Sequence, residues 1–173
     1  MLTVIMECRD QEPELAQTLS ILVPAAVEGL VCDVIILDHG SKDGSSAVAD
    51  AAGCRFYQQW DMKEVLSTVR GEWLLLVEPG ARLTQGWIEE VAEYVALNKL
   101  PAHFTHSSRY RLPFYRRLMR ARPPLEQGFL IPRRQALARA RADSGLGHLV
   151  NGHKSRRLMS EIIPSWVARE ARS

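Results

Sequence analysis

The chain has 173 residues, 46% of them apolar and 24% charged, an ordinary globular composition that excludes a disordered or fibrous protein. Its formal net charge is only +2, yet residues 1–98 hold six Lys/Arg against sixteen Asp/Glu (net −10), and residues 99–173 hold sixteen against Glu126, Asp143, Glu161 and Glu170 (net +12). The longest apolar stretches, 21–27 and 73–77, fall far short of the ~20 residues that span a bilayer, the first residues lack signal-peptide flanks, and Cys8, Cys32 and Cys54 lack metal-ligand spacing, so buried reduced thiols in a cytoplasmic protein are expected.

In chain order, residues 3–6 predict a short strand. Pro13 suits the first turn of a helix, where its missing N–H costs little. Leu15, Leu19, Leu22, Val23 and Ala26 then recur at helical spacing. Residues 34–37 are wholly apolar, as in a strand buried on both faces of a parallel sheet. That strand ends at Asp38, and His39-Gly40-Ser41-Lys42-Asp43-Gly44 predicts a turn. Helix 45–52, strand 54–57, helix 61–69 and strand 73–77 follow, the last broken by Glu78-Pro79-Gly80. Thr84 is read as the N-cap of a helix burying Trp87, Ile88, Val91 and Val95. Four strand–helix alternations with short connections predict an α/β domain with a mostly parallel sheet flanked by helices. Ligands of such sheets sit beyond the strands' carboxyl ends, which directs attention to loops 7–12, 38–44 and 78–82.

The second half is punctuated by Pro101, Pro113, Pro123, Pro124 and Pro132. It predicts short helices, including 135–142 and 156–162, with one further strand at 128–131. Some 75 residues hardly bury a core of their own, so this half is expected as a short basic helical subdomain at the sheet edge, within one domain overall.

The sequence contains no GxxxxGK[ST], no GxGxxG after the first strand, no HExxH and no GxSxG. Its most distinctive segment is Val34-Ile35-Ile36-Leu37-Asp38-His39-Gly40-Ser41-Lys42-Asp43-Gly44-Ser45. An Asp at a strand's carboxyl end can accept hydrogen bonds from hydroxyls and ring N–H groups, with the glycine turn keeping backbone close to the ligand. The same spacing also reads as a tight turn with Ser41 or Asp43 as an N-cap.

This segment resembles the V-D-D-G-S-x-D-G-[ST] motif of glycosyltransferase family 2, nucleotide-diphospho-sugar transferases of GT-A fold. Residues 4–12 resemble that family's opening V-I-I-P-[TA]-x-N-E-E. Residues 71–83 resemble its G-E-x-[IL]-L-F-L-D-x-D-D-x-L, continuing through Gly86-Trp87-Ile88-Glu89-Glu90, and residues 128–137 resemble its acceptor-side G-x-x-x-x-[FR]-R-R-x-A-L. The resemblance implies a GT-A-like nucleotide-binding core at 1–98 and an acceptor-side or interaction region at 99–173. It implies nucleotide contacts from Asp10, Asp38, His39 and Glu78, with His39 standing where the family has a second acid. Glu78 matches the first acid of the family's Asp-x-Asp, but Gly80 replaces the last, the ligand of a Mg²⁺ or Mn²⁺ ion, so Glu78 alone is a poor metal site, and both a Mg²⁺ or Mn²⁺ ion held there and metal-independent transfer stay open. The family's Glu-Asp catalytic pair has no counterpart; Asp143 is the nearest candidate for the base, with His148 and His153 as substitutes.

In residues 113–122, Phe114/Leu118 and Tyr115/Met119 are i,i+4 pairs, with Arg116, Arg117 and Arg120 between or beside them. Such a segment reads either as a cationic helix lying on an anionic membrane surface or acidic partner, or as a packed helix with solvated arginines. The resulting expectation is sugar transfer from a nucleotide-diphospho-sugar, UDP- or GDP-linked, to a glycan or lipid-linked acceptor, at the inner face of a membrane. The alternative is an inactive homologue serving as a binding, assembly or membrane-surface module, its opposed charges favouring homo-oligomers. Nucleic acid is not expected, since no recognition motif is present and aromatics are only 7%.

Overall fold

A computed structural model describes residues 1–110 and 123–172. The Phe114–Leu118 and Arg116–Arg120 interaction expectations lie outside these residues. One eight-stranded sheet forms the centre, in the order β3-β2-β1-β4-β7-β6-β8-β5. Its strands are β1 (Leu2–Cys8), β2 (Val31–Asp38), β3 (Arg55–Tyr57), β4 (Trp73–Leu76), β5 (Arg82–Leu83), β6 (Ala102–His106), β7 (Phe129–Pro132) and β8 (Arg156–Ile163). The helices are α1 (Glu12–Val27), α2 (Ser45–Ala51), α3 (Met62–Thr68), α4 (Trp87–Leu97), α5 (Arg133–Arg139), α6 (Leu146–Val150) and α7 (Ser165–Arg172).

β1 pairs parallel with both β2 and β4, and β2 pairs parallel with β3. β7 then enters antiparallel between β4 and β6. Alternation along the central strands sorts side chains onto two faces. Val4, Met6, Leu75 and Leu130 pack in one apolar layer with Leu15 and Leu19 of α1 and with Trp87 and Val91 of α4. Ile5, Leu74, Leu76 and Ile131 pack in the other with Met62, Val65 and Leu66 of α3 and with Leu146 and Leu149 of α6. Burial on both faces explains why β1, β2 and β4 read as continuous apolar runs. The fold is a Rossmann-like, GT-A-type α/β sheet flanked by helices, with short helices towards the carboxyl terminus.

Several local expectations are corrected. Residues 156–162 form β8, not a helix. Leu158 and Ile162 are buried four residues apart, a spacing shared by one helical turn and by one face of a strand, so periodicity alone did not separate them. β6 was not anticipated; its Ala102 and Phe104 alternate inward over too short a run to stand out. Gly86, not Thr84, is the N-cap of α4, because the Thr84 amide and hydroxyl both donate to the Glu161 carbonyl (3.0 Å each). In α1 the buried residues of the last two turns are Leu22 and Ala25, whereas Val23 is 57% exposed and Ala26 is exposed too. The helix expected at 135–142 begins earlier and ends at Arg139. Of the three free thiols, Cys8 is buried and Cys32 and Cys54 half-buried, and desolvation pushes Cys54 up to about 11.

Candidate functional site

The parallel register brings the carboxyl ends of β1, β2 and β4 to one edge of the sheet, with β1 between its neighbours. This is the topological switch point, where two successive connections leave in opposite directions and open a crevice.

The first two loops are stitched together. The Asp10 amide donates to Ser41 Oγ (2.9 Å), and Asp10 Oδ1 accepts from the Lys42 amide (2.7 Å). The Glu12 amide donates to Asp43 Oδ2 (2.9 Å), and Glu12 Oε2 accepts from the Gly44 amide (2.9 Å). Slight burial raises the Asp43 carboxyl, but bonds from the Ser45 hydroxyl and the Glu12 and Ser45 amides outweigh it and hold the group below its usual range. Asp38 is 1% exposed; Oδ2 accepts from the Gly40 and Ser41 amides (3.1 and 3.0 Å), and Oδ1 takes the Ser41 hydroxyl. Asp10 and Asp38 thus shape the turn through their own hydrogen bonds.

His39 is the residue of that turn that projects. Its side chain is 46% exposed, and its ring meets Trp60 edge-on with centroids 4.9 Å apart. Its Nε2 lies 3.7 Å from Oε2 of Glu7, on the neighbouring strand. The other Glu7 oxygen accepts from the Leu146 amide at 2.7 Å. Two cavities lie around this group. One, of about 400 Å³, is lined by His39, Gln58, Gln59, Trp60 and Asp143. The other, of about 270 Å³, is lined by Glu7, Gln11, Glu78, Pro124 and Arg169. Asp143 therefore joins His39 and Trp60, while Glu78 lies in the other cavity.

The third loop is closed by α7. The Ser165 hydroxyl donates to Glu78 Oε2 and accepts from Arg169 Nη2 (3.1 Å). Gly80 sits at φ +92°, its amide donating to the Glu14 carbonyl (3.0 Å) and to Thr18 Oγ1 (2.8 Å). A Cβ at Gly80 would lie 3.2 Å from Ala168 Cβ and from the Ser165 carbonyl oxygen. A hard cation needs several converging oxygens. Here the motif offers one carboxylate, already engaged by Ser165, and no group of three or more His, Cys, Asp or Glu comes together among the described residues. Position 80 itself supplies no side-chain ligand for a Mg²⁺ or Mn²⁺ ion.

Of the substitutes for a base, His148 lies half-buried on α6 and does not itself line either cavity, although its neighbour Gly147 lines the 270 Å³ one. His153 stacks near Phe129 (6.1 Å); burial, with Arg139 nearby, lowers its pKa, and its Nε2 is buried without a hydrogen-bond partner. Sequence reasoning missed Glu7, Trp60, Ser165 and Arg169. Glu7 carried a signal, since it stands where the resembled motif has proline. Arg169 carried none, because only α7 packing brings it to the crevice.

The class defined by this sheet and crevice is the GT-A fold. Among solved structures the chain is similar to glucosyl-3-phosphoglycerate synthase from Mycobacterium tuberculosis in complex with Mn²⁺, uridine diphosphate and glucosyl-3-phosphoglycerate. That match has 20% identity and TM-score 0.52, covering 79% of this chain and 58% of that one. It is also similar to mannosyl-3-phosphoglycerate synthase from Rubrobacter xylanophilus, at 16% identity and TM-score 0.56, over 78% of this chain and 54% of that one. The chain thus spans a little over half the length of these proteins. No family model and no curated protein sequence matches it.

Proposed function

We propose that the chain binds the nucleoside diphosphate of a nucleotide-diphospho-sugar across the ends of β1, β2 and β4, and passes the sugar to an acceptor hydroxyl. The observation carrying this reading is the pair of cavities at the Glu7–His39 contact, one lined by each residue. The His39–Trp60 cavity offers an aromatic face and the amides of Gln58 and Gln59, which can both donate to and accept from a base edge. The adjoining cavity offers carboxylates suited to ribose hydroxyls and a guanidinium suited to phosphate. In the reaction the acceptor oxygen bonds to the anomeric carbon, the bond from that carbon to the terminal phosphate oxygen breaks, and the nucleoside diphosphate leaves with the electron pair. The acceptor proton passes to a base, for which Asp143 is the candidate of the second half. Membership of glycosyltransferase family 2 and a glycan or lipid-linked acceptor belong to this proposal.

Titration calorimetry with uridine, guanosine and cytidine diphosphates tests it. One of them is expected to bind, and Trp60→Ala should weaken that binding about tenfold, in line with ~1–3 kcal/mol for base–aromatic stacking. Binding of none, or an unchanged affinity in the variant, counts against this placement.

A second reading, binding without transfer, draws on two observations. Asp143 lines a different cavity from the one holding Glu78, and Glu126 is 7% exposed and accepts from Trp166 Nε1 (3.2 Å). Nucleotide release from the sugar donor, with a panel of glycan and lipid-linked acceptors, separates the two: release supports transfer, and binding without release supports the module.

A further inference from the structure

We infer that α7 supplies a guanidinium, Arg169, in place of the divalent cation that a GT-A crevice would otherwise present to the diphosphate; this rests on the nucleotide-binding reading above. The inference starts from Gly80. In the resembled motif an Asp there would hold the ion, but here the backbone is left-handed and the space a side chain needs is taken by Ala168 and Ser165. The bare backbone at 80 and the position of α7 go together, because α7 packs on the surface that a longer residue would occupy.

The same helix that closes the metal position delivers a cation. Ser165 and Arg169 lie one turn apart, on one face of α7, and are joined by a hydrogen bond. Arg169 is the cationic side chain lining the 270 Å³ cavity among the described residues. Both carboxylates of that cavity have protein partners: Glu7 the Leu146 amide and the His39 ring, Glu78 the Ser165 hydroxyl. Arg169 is the group there whose sign of charge matches an anion. A guanidinium presents planar, permanently charged N–H donors that match phosphate oxygens, and it stabilises the charge of a departing diphosphate without being dehydrated as a metal is. The helix is held in place from its other end, where Arg172 pairs with the buried Glu14 (3.3 Å), and from its side by Trp166 on Glu126.

The test is calorimetry on the full chain with the nucleoside diphosphate that binds and with the matching nucleoside, each in EDTA and in Mn²⁺. In the wild type, diphosphate affinity is expected to change less than threefold between EDTA and Mn²⁺. Arg169→Gln should lower diphosphate affinity tenfold or more while leaving nucleoside affinity unchanged, and Arg169→Lys should recover part of the loss. Diphosphate binding that appears only with Mn²⁺ overturns the inference while the nucleotide reading stands. So does an Arg169→Gln loss shared equally by the nucleoside, which marks a structural role. Absence of binding by every nucleoside diphosphate in both buffers overturns the nucleotide reading and the inference together. The wild-type comparison between buffers can still overturn the inference even if the variants unfold.

Discussion

Gly80 shows how a single position constrains both stability and chemistry. Its left-handed backbone and its contacts with α7 leave no comfortable place for a side chain. Gly80→Ala is expected to lower stability by about 2 kcal/mol, the upper part of the usual cost of a left-handed non-glycine residue, because the Cβ also presses on Ala168. Urea unfolding followed by tryptophan fluorescence reads the shift, and an unchanged midpoint would contradict the tight packing of α7 on this loop. At the same scale, Glu7 and His39 are two departures from the resembled motif that meet in space, 3.7 Å apart. Where the resembled motif has a proline on the first strand and an acid just after the second, this chain has one carboxylate–imidazole contact beside the crevice.

At the scale of elements, β8 is the informative case. β5 pairs only with Ile162 and Ile163 of β8, leaving the amides before them on an open edge. Such edges invite pairing with other chains unless covered. Glu90 on α4 covers this one, accepting from the Met159 and Ser160 amides at 2.6 and 2.7 Å. Burial by itself raises the Glu90 carboxyl, but the Ser160 hydroxyl and the two amides prevail and hold it below its ordinary 4.5. A carboxyl lowered in the folded state binds fewer protons there than in the unfolded chain, so its stabilising contribution is present above about pH 4.5 and is lost as pH falls through the folded value. Wild type is therefore expected to be more stable than Glu90→Gln at pH 6–7, with the gap narrowing between pH 5 and pH 3. Urea midpoints across that range measure it, and a gap independent of pH would refute the assignment.

For the whole molecule, the junction of β1 with β4 organises everything else, since it carries the switch point and continues through β7 into the second half. Gly71 lies at the start of that junction, its amide donating to buried Thr3 Oγ1 (2.9 Å). A Cβ there would fall 2.4 Å from the Thr3 nitrogen and 2.7 Å from the Leu2 carbonyl carbon, both backbone atoms that cannot move alone. Gly71→Ala is expected to cost about 3 kcal/mol, the upper end of overpacking penalties, because relief requires separating the two central strands. Chemical denaturation measures this, and a loss under 1 kcal/mol would show the junction to be more pliant than its geometry. The same sheet reconciles the opposed charges of the halves: the strands of the −10 region and those of the +12 region are hydrogen-bonded members of one layer, and Arg172 of the second reaches Glu14 of the first.

What the sequence determined by itself is the first, largely parallel half of the sheet. Apolar runs buried on both faces, Pro13 opening α1, and the glycine turn after Asp38 each follow from local chemistry, so β1 to β4 and their helices were legible apart from boundaries and the face of α1's last turns. The second half was not, because Leu158 and Ile162 suit a helix and a strand equally, and only the neighbours β6 and β5 make residues 156–163 extended. The site divides in the same way. His39 and Glu78 could be named from motif spacing, and Asp38 as well, although its carboxylate proves to be occupied by its own turn. Arg169 and Ser165 lie roughly ninety residues beyond Glu78 in the chain, and no local pattern links them. The tertiary structure joins them because α7 needs a surface for Ala168 and finds it over Gly80, a packing demand that also carries a guanidinium to the end of β4.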